Sequence, residues 1–161
     1  MSEERPGRTM GLDVGGRRVG VAISDEMGMI ASPLATIDLD RDGLERLEEL
    51  ISRYDPALIV IGLPVTMRGR EGSQAVETKA FAARLTERLD RPIVFWDERL
   101  TSSAAERLLS DAGVSRKRRR ELVDAVAAAL LLQSYLDAHR GQRGRHGTHK
   151  RGRSRDSSGS A

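Results

Sequence analysis

The chain predicts an α/β layer fold with a mixed sheet, and three observations carry that prediction. Two short apolar runs flank a Gly-Gly pair in GLDVGGRRVGVAISD (11–25), the mark of an antiparallel hairpin. ALIVIGL (57–63) is an unbroken apolar run of strand length, as expected where both faces of a strand are covered. Between and after these stretches the apolar residues recur at helical spacing, so strands and helices alternate.

Each element follows from its own pattern. Thr9–Val14 and Arg18–Ser24 read as the hairpin strands. In the second, Val19, Val21 and Ile23 share one face, and Gly20, Ala22 and Ser24 the other. A third strand over 30–37 carries Pro33, which belongs at a sheet edge. From about Asp42 a helix places Leu44, Leu47, Leu50 and Ile51 on one face, with Asp42 and Glu45 spaced as a capping pair. After the strand at 57–63 and the loop PVTMRGREG, a helix over 73–89 is expected to bury Val76, Ala80, Phe81 and Leu85. A further buried strand covers 92–96 and runs into Asp97-Glu98-Arg99. Thr101 or Ser103 caps a helix that closes at Gly113, and a last helix spans about 116–138.

Length and composition narrow the class. At 161 residues one domain is expected, and a 39% hydrophobic, 3% aromatic composition makes its core aliphatic. No apolar run approaches the length of a membrane span, and MSEERPGRTM lacks the apolar centre of a signal peptide. Zero cysteines exclude a disulfide framework and a thiolate zinc site, so a cytoplasmic protein is expected. Charge is unevenly spread: residues 140–161 carry a net +6 against a total of +3, which leaves the remainder at −3. Residues 1–140 therefore read as the folded domain. Residues 141–161 read as a disordered Gly/Ser/Arg tail, either a salt-sensitive contact for nucleic-acid phosphates or a solubilising extension.

Acids at three places sit where a structural role alone does not readily put them. Asp13 lies late in a central strand beside glycines. Asp97 and Glu98 end another strand. Asp124 opens the apolar run 125–132, which covers the whole circumference of its helix. Each has an ordinary reading: a turn cap for Asp13, a pair with Arg99 or Arg17 for Glu98, a pair with Arg120 for Asp124. Clustered carboxylates repel unless a cation holds them, and all-oxygen ligands suit Mg²⁺ or Mn²⁺.

Four blocks in order, GLDVGGRRVGVAISD (11–25), IGLPVTMRGREGSQA (61–75), DERLTSSAAERLL (97–109) and DAVAAALLLQSYLD (124–137), resemble the YqgF/RuvX family. These are Holliday-junction-resolvase-like proteins, also described as nucleases of pre-16S ribosomal RNA. Ser102 stands where the family usually has threonine. The resemblance implies a ribonuclease H-like fold, a five-stranded mixed sheet with helices on both faces. It implies catalytic and metal-binding acids at Asp13, Glu98 and Asp124. Related resolvases place the middle acid after the fourth strand, where this chain has Gly62-Leu63-Pro64. The Asp97-Glu98 pair must then supply it, and the sequence does not choose between the two.

That set implies a two-metal nuclease with Mg²⁺ or Mn²⁺ as cofactor and no histidine, cysteine or serine nucleophile. Arg17, Arg18, Arg68, Arg70, Arg99 and Lys117 are the expected nucleic-acid contacts, or else solvated surface charges. Ribosomal particles are possible partners. The expected substrate is the 5′ end of pre-16S ribosomal RNA, which a monomer could cut; branched DNA, the alternative, needs two coordinated cuts and hence a homodimer. Two rivals remain. One is an ATP-binding protein of the actin, Hsp70 and sugar-kinase type, which needs a second lobe. The other is a non-catalytic RNA-binding ribosome-assembly factor.

Overall fold

The structure, a computed structural model, describes residues 7–64, 72–98 and 101–145; for Glu98, Thr101, Ser102 and 141–145 it describes the backbone only. Strand β1 (Thr9–Val14) turns through Gly15–Arg17 into β2 (Arg18–Ser24), and the Gly15 N–H donates to the Arg18 carbonyl at 2.8 Å. The register sets Met10 opposite Ile23 and Asp13 opposite Gly20. β3 (Ala31–Asp38) pairs antiparallel with β2, with a register shift at Val21/Ala22. β4 (Leu58–Pro64) lies parallel to β1, and β5 (Ile93–Glu98) parallel to β4. The sheet order is therefore β3-β2-β1-β4-β5, with Pro33 on an edge strand as expected.

Side-chain alternation divides the core between the two sheet faces. Met10, Leu12, Val19, Val21, Ile59 and Ile61 pack against α1 (Gly43–Tyr54) and α2 (Ser73–Arg88). Leu47, Leu50 and Ile51 come from α1; Phe81, Ala82 and Leu85 come from α2. On the opposite face Ala22 and Val60 meet Ala128, Ala129, Leu132 and Leu136 of α4 (Arg116–Arg145). The outer side of α4 is covered in turn by α3 (Thr101–Asp111), through Ala105 and Leu109 against Val126 and Ala127. Sandwiched this way, 125–129 and Leu131–Leu132 are all buried, which explains the unbroken apolar run. At roughly 1.5–3 kcal/mol per fully buried aliphatic side chain, these three clusters hold the layers together.

Four details depart from the sequence reading. α2 buries Ala75, Thr78, Phe81, Ala82 and Leu85, whereas Val76 is 62% exposed and Ala80 is exposed. The buried face begins one residue earlier than the apolar side chains suggest, because small residues do the close packing. β5 lies at an edge and leaves Phe95 41% exposed, so it is not buried on both faces. Asp42 precedes α1 but makes no side-chain cap; its Oδ2 instead accepts the Asp38 N–H at 3.3 Å. Finally, α4 continues past the boundary expected at 140, to Arg145. No proline interrupts it, and Gly141 and Gly144 weaken a helix without forbidding it. Residues 146–161, most of the expected tail, lie outside the described residues. No helix among the described residues is long and apolar enough to cross a membrane.

Candidate active site

Asp13 is half-buried near the C-terminal end of β1, in the face that α4 covers. Its cross-strand partner Gly20 marks where that helix comes down: a Cβ at Gly20 would lie 1.9 Å from the Asp124 carbonyl oxygen. A Cβ at Gly11 would lie 2.8 Å from the Leu132 Cβ. Only glycine at these two positions lets α4 rest directly on the β1–β2 backbone. The hairpin and the last helix thus bring Asp13 and Asp124 to one place.

Asp124 is strained electrostatically. Its side chain is 26% exposed, and its Oδ2 is buried without a hydrogen-bond partner. Arg18 Nε stands 3.6 Å from that oxygen, close enough for charge attraction but too far for a hydrogen bond. Burial pushes the Asp124 carboxyl above its ordinary value, and the Arg18 charge opposes this only in part. A cleft of about 520 Å³ opens at this point, lined by Gly15, Gly16, Arg17, Arg18, Asp38 and Asp124. A buried carboxylate oxygen that accepts no hydrogen bond is suited to a hard cation, and the acidic side chains lining the cleft, Asp38 and Asp124, offer oxygen ligands.

The third expected acid ends β5. Position 98 is opposite Pro64 and has the same strand parity as Val94 and Trp96, both on the α4 side of the sheet. Asp97 is exposed and has the parity of Ile93, which packs on the opposite face. Among the described side chains no three His, Cys, Asp or Glu groups gather closely enough to hold a metal, and Glu98 is not one of those side chains.

The basic residues separate into distinct environments. Arg17 is engaged within the fold: its Nε donates to Asp38 at 3.1 Å and lies 3.4 Å from Asp40. The Arg17 hydrogen bond, first among several, holds the Asp38 carboxyl below its ordinary range. Arg18 reaches both Asp124 and a second cleft, between α3 and the start of α4. Lys117 is exposed on the first turn of α4 and does not line that cleft, whereas Arg116, Arg119 and Arg120 do. Arg68, Arg70 and Arg99 lie outside the described residues.

Sequence reading missed Gly11 and Gly20 as the seats of α4, Arg107 in the second cleft, and Gln74, whose Nε2 donates to the Val14 carbonyl at 3.1 Å. Small residues in register on neighbouring strands could have signalled the glycines. Nothing local marks Arg107 or Gln74.

A mixed sheet with three antiparallel strands followed by two parallel ones, helices on both faces, and acids on the first strand and last helix define a ribonuclease H-like protein. A family model described as "RuvX: Holliday junction resolvase" matches residues 7–138, and the chain belongs to that family. A Geobacillus kaustophilus protein named "Putative pre-16S rRNA nuclease" is 49% identical over 137 residues, 83% of this chain and 99% of that protein. A Listeria monocytogenes protein of the same name is 48% identical over 134 residues, 81% of this chain and 97% of the relative. Among solved structures, the fowlpox virus Holliday junction resolvase aligns with TM-score 0.53 at 13% identity, covering 81% of this chain and 98% of that one, a likeness of fold alone.

Proposed function

We propose that this chain is a metal-dependent nuclease that hydrolyses phosphodiester bonds in structured RNA, with the 5′ end of pre-16S ribosomal RNA as its substrate. The observation that carries the metal site is the buried Oδ2 of Asp124, which faces Arg18 but accepts no hydrogen bond, set beside the Asp13–Gly20 pair. Such an atom costs stability in the free protein and is retained where a ligand satisfies it. The names of relatives at 48–49% identity support the nuclease and its RNA substrate.

Asp13, Glu98 and Asp124 would hold Mg²⁺ or Mn²⁺, and strand alternation favours Glu98 over Asp97 for the middle place. Bound there, the cations supply Lewis-acid stabilisation of the charge that develops on the phosphodiester oxygens. The remaining work belongs to the chain. Gly15 and Gly16 present no side chain, so a phosphate can approach the hairpin backbone. Arg18 offers a guanidinium to that phosphate and offsets the Asp124 charge. Packing of α4 against the sheet fixes Asp124 on a rigid element and limits water around it. Arg17, paired with Asp38 at the hairpin tip but still exposed, remains a proposed contact to nucleic-acid backbone. Arg68, Arg70, Arg99 and Lys117 remain proposed contacts to nucleic-acid backbone, and residues 141–161 a basic extension of the 1–140 domain.

The description of the family model favours a second reading, resolution of branched DNA. Incubation of the protein with a labelled pre-16S precursor and with a four-way DNA junction, each with Mg²⁺, separates the two. Faster cleavage of the precursor is expected. Preferential, paired cutting of the junction by a dimer would replace the RNA reading. Binding of both with cleavage of neither would leave a non-catalytic assembly factor.

A further inference from the structure

Between α3 and the start of α4 runs a cleft of about 700 Å³ with five arginines in its walls: Arg18, Arg107, Arg116, Arg119 and Arg120. We propose that it is a phosphodiester-backbone groove, gripping the strand that leads away from the acidic site and reading its charge rather than its sequence. The proposal rests on the nucleic-acid substrate argued above and adds where the strand goes.

The first argument is a broken local rule. α4 opens with RKRRR and carries no acid in its first turn, although the macrodipole there favours carboxylates and disfavours cations. Cations at that end work against the helix unless an anion neutralises them, and Glu121 serves only Arg118. A second observation concerns availability. Arg118 pairs with Glu121, and Arg119 donates to the Val114 carbonyl at 3.1 Å. Arg107, Arg116 and Arg120 make no ion pair or side-chain hydrogen bond with the described residues. The cleft also contains one carboxylate, Glu106, so its walls remain strongly positive.

The chemistry of the lining then selects the ligand. Serines 103 and 110 and Val123 complete it, with no aromatic ring among the lining residues. Bases therefore find no stacking platform, and the available donors match phosphate oxygens, which carry no sequence information. Arg18 belongs to this cleft and to the one beside Asp124, which makes the two neighbours. Along α4, Arg120 and Arg116 precede Asp124 by one and two turns, about 6 and 12 Å. A strand bound at the acids can thus run directly into the groove. That adjacency to the acids favours nucleic acid over an acidic peptide.

Fluorescence anisotropy of labelled single-stranded RNA, titrated in EDTA over a range of salt concentrations, tests this without any cleavage. Replacing Arg107, Arg116 and Arg120 together by Gln in the full chain should flatten the slope of log K against log salt by about 2, at about 0.7 per lost contact. The loss should be the same for every RNA sequence. Lys at the three positions should restore most of the slope, and Arg53→Gln, on α1 across the sheet, should leave it unchanged. If the triple Gln variant unfolds, each single Gln variant should still lose about 0.7 of slope. An unchanged slope in a folded variant overturns the groove. So does wild-type protein that binds no RNA, an affinity loss confined to some sequences, or displacement of RNA by polyglutamate as readily as by polyphosphate at matched charge. The nuclease reading fails separately, on a protein that shows the predicted slope change yet never cuts RNA with Mg²⁺.

Discussion

At the scale of single residues, Gly20 and Asp124 are the two positions where the site most constrains the fold. Gly20→Ala would drive a methyl into the Asp124 carbonyl, whereas Gly16 has open space around it. Urea unfolding should therefore show a loss of about 3 kcal/mol for Gly20→Ala, as for a severe overpacking, and less than about 0.5 kcal/mol for Gly16→Ala. Asp124 gives a pH-dependent counterpart. Its carboxyl titrates above the ordinary 3.8 because burial outweighs the Arg18 charge. Such a group binds its proton more tightly in the folded state. Stability is then lost as pH rises from 3.8 through the raised folded value, and stays lower above it. In EDTA, Asp124→Asn should exceed the wild type by about 1 kcal/mol at neutral pH. The gap should close as pH drops below 3.8, where both states of the wild type are protonated.

At the scale of elements, the β2–β3 turn is organised by Asp25, which accepts the N–H groups of Ile30 at 2.9 Å and Met29 at 2.7 Å. The Ile30 and Met29 bonds hold its carboxyl below the ordinary range. Here the sign is opposite: the stabilisation is present above the ordinary value and lost as pH falls through the lowered folded one. Asp25→Ala should speed amide exchange at Met29 and Ile30 at neutral pH, and the wild type should converge on the variant in acid. The strands were legible because alternation and unbroken apolar runs directly report which faces are covered. Helix α2 was misjudged by one residue, since Ala75 and Thr78 are buried as spacers that hydrophobicity does not flag. The Asp42 cap failed because a competing backbone donor, Asp38 N–H, took the carboxylate.

At the scale of the whole molecule, all three hydrophobic clusters lie between Met10 and Leu136. Ending the chain after Arg145 should leave the urea midpoint unchanged, and a loss of cooperativity would place part of the core outside that span. Of the site, Asp13 and Asp124 were legible because each interrupts an apolar pattern. The helix seats at Gly11 and Gly20 were not, since they exist only once α4 lies across the hairpin; the run RKRRR (116–120) stands out as a basic patch, but its union with Arg18 and Arg107 in one cleft does not. The crossing of α4 is also what gives the acids their proposed purpose. Single-turnover cleavage of a 5′-labelled pre-16S precursor with Mg²⁺ tests that purpose most directly, in wild type and in Asp13→Asn, Glu98→Gln and Asp124→Asn. Each variant should lose at least ~10²-fold in rate, a few kcal/mol of transition-state stabilisation, while keeping its fold. Wild-type rates in all three folded variants would contradict the metal-centred nuclease.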